Sequence, residues 1–133
     1  MQIGEALYSY LSSYAGLTAL VGNRIYPLIL PQGVTLPAVT YTQISGPRVH
    51  CMGSDPGLTH PRFQVSVWAE SYSDMATVAA QVRAALQDYS GTMGGDDGVV
   101  VQRIFLEDET DRNFEPNTKT FRRDLDFIIW HEE

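Results

Sequence analysis

The chain is 133 residues long and carries 9 Lys+Arg against 16 Asp+Glu, a formal net charge of −7 with a sequence pI of about 4.8. That length suffices for one domain with its own core, and 44% hydrophobic with 11% aromatic residues excludes a disordered tail or a collagenous segment. The acidic balance excludes whole-surface attraction to nucleic acid or anionic lipid, which needs clustered Lys and Arg.

Cys51 is the sole cysteine, so there is no intramolecular disulfide framework, and a reducing compartment fits. The opening MQIGEALYSYLSSYAG has no basic region and no unbroken apolar run. Neither a signal peptide nor a membrane anchor is expected, and the cytosol is the expected place of synthesis.

Ile3, Ala6, Leu7, Tyr10, Leu11 and Tyr14 recur at spacings of three and four, which predicts a helix over residues 2–14. Thr18 can cap a short helical turn that Gly22 closes. Arg24-Ile25-Tyr26 reads as a short strand stopped by Pro27, and residues 27–37, with three prolines and Gly33, read as a loop. AVTYTQIS over 38–45 is a strand by its β-branched and aromatic content, with a bent continuation expected over 49–52. After a turn at 53–57, Phe63, Val65, Val67 and Ala69 alternate with Arg62, Gln64, Ser66 and Trp68, a strand with one buried face.

Ser73 or Asp74 is the expected cap of the next helix, whose Met75, Val78, Ala79, Val82, Leu86 and Tyr89 make an apolar stripe ending near Gly91. Residues 92–98 read as a Gly-rich acidic connector. Residues 99–106 read as a strand covered on both faces, 108–119 as a polar loop, and 120–131 as a final alternating strand. The expected fold is α+β in the order α-β-β-β-α-β-β, an antiparallel or mixed sheet with two main helices on one face. One domain, 1–133, is expected, with no repeat or linker.

No cluster in this sequence points firmly to chemistry. His50-Cys51 with His60 fits no zinc spacing and lacks a second Cys, so a structural role outweighs a metal site or thiol nucleophile. Gly94-Gly95-Asp96-Asp97-Gly98 lacks the Lys-Ser/Thr pair of a phosphate loop and the terminal Glu of a calcium loop, leaving a connector. Glu107, Asp108, Glu109 and Asp111 sit consecutively at one strand end rather than converging from several elements, which favours a solvated surface over acid-base or two-metal catalysis. Trp68 and Trp130 lie out of phase with the main apolar set; packing under a helix is favoured over an interface anchor. Arg122-Arg123 beside Asp124 and Asp126 reads as pairing with neighbouring strands or subunits.

Taken in order, Arg24-Ile25-Tyr26-Pro27, Leu36-Pro37-Ala38-Val39-Thr40-Tyr41, and Phe63-Gln64-Val65-Ser66-Val67-Trp68-Ala69 leading into Ser73-Asp74 form a recognisable series. Phe114-Glu115-Pro116, Phe121-Arg122 and Leu125-Asp126-Phe127-Ile128-Ile129-Trp130 complete it. The series resembles the tail-completion family of long-tailed phages, also found in prophages and gene-transfer particles, and the resemblance spans nearly the whole chain. It implies a structural virion protein, not an enzyme, with no catalytic residue, cofactor or metal to carry over. Such a protein caps the assembled tail tube as a homomeric ring, usually a hexamer, and joins the tail to the head connector.

The partners so implied are further copies of the chain, the major tail tube protein and a head connector or stopper protein. DNA passes through without specific binding, and no membrane is involved. Assembly in the host cytoplasm precedes residence at the tail-head junction of the virion. The alternatives are a head-completion or connector-stopper protein and, from another class, a small cytosolic enzyme using His50, Cys51 and the acidic run. Long polar loops on a small domain commonly carry contacts, so Leu28, Leu30 and Gln32 of one loop and Arg112, Phe114, Glu115 and Lys119 of another are the expected subunit or tube contacts. Some of Glu107, Asp108, Glu109 and Asp111, or Asp96 and Asp97, are expected to line the channel and repel DNA; the competing reading is that these carboxylates pair with Arg residues of adjacent subunits.

Overall fold

Ile3, Ala6, Leu7 and Leu11 lie buried along α1 (Ile3–Ser13) of the computed structural model, which describes residues 2–46, 58–95, 97–112 and 120–132. Their spacing puts them on one side of the helix, and Glu5 accepts a bond from the Gln2 N–H at 3.4 Å, which satisfies one free amide at its start. Tyr14 ends α1 in an extended conformation and caps α2 (Ala15–Val21). Thr18 is therefore inside a helix rather than at its start, with its hydroxyl donating to the Ala15 carbonyl at 3.3 Å. Gly22 closes α2 at φ 60°, in the left-handed region where glycine carries no Cβ penalty.

The strands are β1 (Ile25–Pro27), β2 (Ala38–Ser45), β3 (Leu58–Thr59) and β4 (Arg62–Ala69), then β5 (Gly91–Met93), β6 (Val99–Asp111) and β7 (Phe121–Glu132) after α3 (Tyr72–Leu86). They form one mixed seven-stranded sheet in the order β1-β2-β4-β7-β6-β5, with β3 pairing β7 off this path. β1 runs parallel to β2, and every other pairing is antiparallel.

The element order thus differs from the expected α-β-β-β-α-β-β. Three helices replace two, and two strands, β3 and β5, are too short to show a period. The largest difference is β6, 13 residues long, which carries the acidic run as strand where a loop was expected: its partner β7 supplies a ladder as far as Asp111 opposite Arg123. β6 is also not covered on both faces, since Val100 and Phe105 are 40% and 42% exposed. α3 begins earlier than the expected Ser73 or Asp74 cap. The Ser71 hydroxyl accepts from the Asp74 N–H at 3.1 Å, and Ser73 lies inside the first turn. It also stops at Leu86, short of Gly91: Gln87 is already extended, and Asp88 follows at φ 62°. The expected extension of β2 over 49–52 lies outside the described residues.

The buried sides of all three helices share one core with Val39 of β2, Phe63, Val65 and Val67 of β4, and Leu125, Phe127 and Ile129 of β7. Leu7, Leu11, Leu17 and Phe127 are wholly excluded from solvent, each burial contributing about 1.5–3 kcal/mol. Tyr10 joins α1 to α3 by donating its hydroxyl to the Ala85 carbonyl at 2.7 Å, and its ring meets that of Tyr89 at 4.7 Å. Burial, then the neighbouring Tyr89 and Tyr14, push its phenol pKa up.

Candidate functional site

Alternation along β4 and β7 that sends Val65, Val67, Leu125 and Phe127 into the core sends Gln64, Ser66, Asp124 and Asp126 to the second face of the sheet. There Asp124 is only 2% exposed. A carboxylate so placed needs partners, and it has three: the Ser66 hydroxyl at 2.7 Å, Arg122 Nε at 2.8 Å and Arg112 Nε. Burial pushes the Asp124 pKa up, but the hydrogen bonds from Arg112, Ser66 and Arg122 outweigh it and hold the group below its usual 3.8. The same bond to Asp124 raises the Arg112 guanidinium. Beside this cluster, Asp126 accepts from Arg62 and Gln64, both at 3.3 Å.

Arg122 and Asp126 therefore do pair with neighbouring strands of their own subunit. Trp68 sits in this network and not under a helix, contrary to expectation. Its Nε1–H donates to Thr40 Oγ1 at 3.0 Å, and the Arg122 guanidinium lies 4.7 Å from its ring centre. Trp130 instead stacks on His60 at 4.3 Å. The signal for both was the phase of the alternation, which puts an indole opposite the Val/Phe face.

The loop after β1 arches over this face. Leu28, Ile29 and Leu30 flank a groove of about 470 Å³ whose floor includes Thr42, Gln64 and Trp68. Leu28 is held at φ 65°, a left-handed conformation unfavourable for a residue with a Cβ. Its N–H donates to the Tyr41 carbonyl at 2.9 Å. The result is outward display: Leu28 is 70% and Ile29 74% exposed. Leu30 is half-buried and Gln32 exposed. Arg24, just before β1, donates to the Pro37 carbonyl at the far end of the loop at 3.0 Å and to that of Leu20 in α2 at 3.3 Å.

Of the other expected contacts, Arg112 stands at the end of β6 with its N–H on the Arg122 carbonyl, while Phe114, Glu115 and Lys119 lie outside the described residues. The acidic run divides. Glu109 accepts from Arg83 at 2.7 Å, and Asp111 is bound by Arg123, whose pKa rises chiefly through that bond. Among the described residues Asp108 bonds only locally, accepting from the Glu109 N–H at 2.9 Å and the Thr110 hydroxyl at 3.3 Å. Glu107 is exposed and forms no ion pair among the described residues. Asp97 is exposed in the β5–β6 turn, and Asp96, His50 and Cys51 lie outside the described residues. Among the described residues no group of three or more His, Cys, Asp or Glu side chains could hold a metal ion, and no helix is long and apolar enough to cross a membrane.

The face thus combines exposed aliphatic side chains on a strained loop with an ion-paired sheet surface. The family model described as Tail completion protein gp17 matches residues 5–132. The chain belongs to the tail completion protein gp17 family. This membership gives it a structural role in the phage tail. Its fold is also that of a chain in the virion of a native gene transfer agent particle, at a TM-score of 0.80 and 20% sequence identity, over 98% of this chain and 95% of that one. No curated protein matches in sequence.

Proposed function

We propose that this tail completion protein caps the finished tail tube as a homohexameric ring and presents the surface to which the head connector joins. Family membership over residues 5–132 carries the reading, and the surface supports it. Leu28 and Ile29, at 70% and 74% exposure, are the kind of apolar display that a permanent partner covers. The residue 27–37 loop and the segment 112–119 contact the neighbouring subunit or the tail tube.

DNA passes through the ring without being held. With Glu109 and Asp111 occupied by Arg83 and Arg123 of their own chain, Glu107 and Asp108 are the carboxylates left to face and repel phosphate. Replacing both by Lys keeps the ring but slows ejection, and high salt relieves the defect; loss of the ring with the subunit still folded would contradict the lining role.

The deciding experiment is particle assembly without this protein. Tubes of uncontrolled length with no heads attached are expected. Tails of normal length beside heads that leak DNA would instead make it a head-completion or stopper protein.

A further inference from the structure

The two sides of the sheet leave different stretches of backbone unpaired. On β2, β1 covers residues 39–41, and the Leu28 N–H takes the Tyr41 carbonyl; among the described residues, 42–45 have no strand beyond them. On β6, β5 covers residues 99–101 and the Asp88 N–H takes the Ile104 carbonyl at 3.0 Å. Beyond that, residues 105–111 have no outer strand among the described residues.

Register across the sheet relates these stretches. Ser45 pairs with Arg62, Arg62 with Ile128 and Ile128 with Phe105, while Thr42 pairs with Gln64, Gln64 with Asp126 and Asp126 with Asp108. The bare stretches 42–45 and 105–108 therefore lie at the same height on opposite sides. Three antiparallel pairings separate β2 from β6, so the two strands run in opposite directions. Set beside β2 of another copy, residues 105–108 of β6 would continue the sheet as one more antiparallel pair, and residues 109–111, which register with 39–41, would leave the sheet plane there because β1 holds that edge.

Side chains agree with that arrangement. Ile44, in the bulge just before Ser45, is 50% exposed, and Phe105, at the other end of the row that begins at Ser45, is 42% exposed. Edge-to-edge contact sets one against the other and covers both. Charge then selects which edges meet. β2 has no charged residue, whereas the bare part of β6 carries Glu107 and Asp108. Two β6 edges would oppose carboxylates, a destabilising pairing, while β6 against β2 would not. Contact between unlike edges is heterologous and closes into a ring when the rotation per subunit permits.

We propose that copies of this chain join through antiparallel pairing of residues 105–108 of β6 with residues 42–45 of β2 in the next copy, an inference that rests on the ring reading above. The test uses Ile44→Cys with Phe105→Cys, and separately Thr42→Cys with Asp108→Cys, both in a Cys51→Ser background and assembled into particles. All four sites are on exposed or half-exposed positions, so folding is retained. Mild oxidation of either double variant gives a ladder of linked subunits ending at the ring's size, with each single variant remaining monomeric on denaturing gels. An imaged ring whose double variants both stay unlinked, or dimers from Ile44→Cys alone, overturns the edge pairing and leaves the ring standing. Particles with no ring of this protein overturn both.

Discussion

Up to Gly46 the chain has two charged residues, Glu5 and Arg24, whereas β6 and β7 hold Arg103, Glu107, Asp108, Glu109, Asp111, Arg122, Arg123, Asp124, Asp126 and Glu132. The second region uses its charge on itself: Arg122 and Arg112 close on Asp124, Arg123 on Asp111, and Arg83 of α3 on Glu109. The first region holds four of the exposed large hydrophobics, Tyr8, Leu28, Ile29 and Ile44. Depletion of charge together with displayed apolar side chains is what the centre of a protein interface looks like before its partner arrives. One region is a frame that holds its own shape; the other leaves apolar side chains uncovered.

The comparison breaks most visibly at Asp124. Asp124→Ala leaves Arg112 and Arg122 without their shared acceptor and costs about 3 kcal/mol in urea unfolding, toward the low end for a broken buried pair because both arginines reach solvent. Arg112→Ala, removing the more exposed partner, costs less than Asp124→Ala because the pair is screened by solvent on the arginine side.

The same carboxylate gives the frame a pH dependence. The Asp124 pKa is lowered in the folded state, so its contribution is complete above the usual carboxylate range. It is lost as the pH falls from about 5 through the lowered value. Unfolding free energies of the wild type and Asp124→Asn should therefore converge in acid and separate at neutral pH; a constant gap from pH 7 to 3 would contradict the network.

On the charge-poor side, stability and function part company. Leu28→Gly relieves the φ of 65° and loses little burial, so it leaves stability unchanged or raises it by up to about 1 kcal/mol, while incorporation into particles falls. Smallest of all, Glu109→Gln weakens a pair of partly exposed side chains and shifts unfolding by about 0.5 kcal/mol or less.

Much of the frame was legible in the sequence because its periods are long. α1 was expected over 2–14 and spans Ile3–Ser13, and β2 and β4 match at both ends. What escaped was fixed by tertiary partners. β6 runs on through Glu107, Asp108, Glu109 and Asp111 because β7 lies beside it, and no local preference for strand announces that. Asp124 looked like one more charged residue on an alternating strand; its burial comes from Arg112, Arg122 and Ser66, which approach from three strand segments. The loop over residues 27–37 was legible from its prolines, but the outward display of Leu28 and Ile29 goes with a left-handed residue that is not glycine, for which the sequence has no sign.

The central claim is that the displayed apolar side chains of the charge-poor side, and not the carboxylates of the acidic strand, are the side chains that assembly requires. Its most direct test compares particle content of two folded variants, Leu28→Asp with Ile29→Asp and Glu107→Lys with Asp108→Lys, each checked by thermal unfolding. Asp tolerates the left-handed conformation at position 28, and both apolar residues are largely exposed, so the first variant should fold with an unchanged midpoint. The account predicts that it is absent from purified particles while the second is present at the wild-type level. Incorporation of the Leu28→Asp, Ile29→Asp variant at the wild-type level would contradict it.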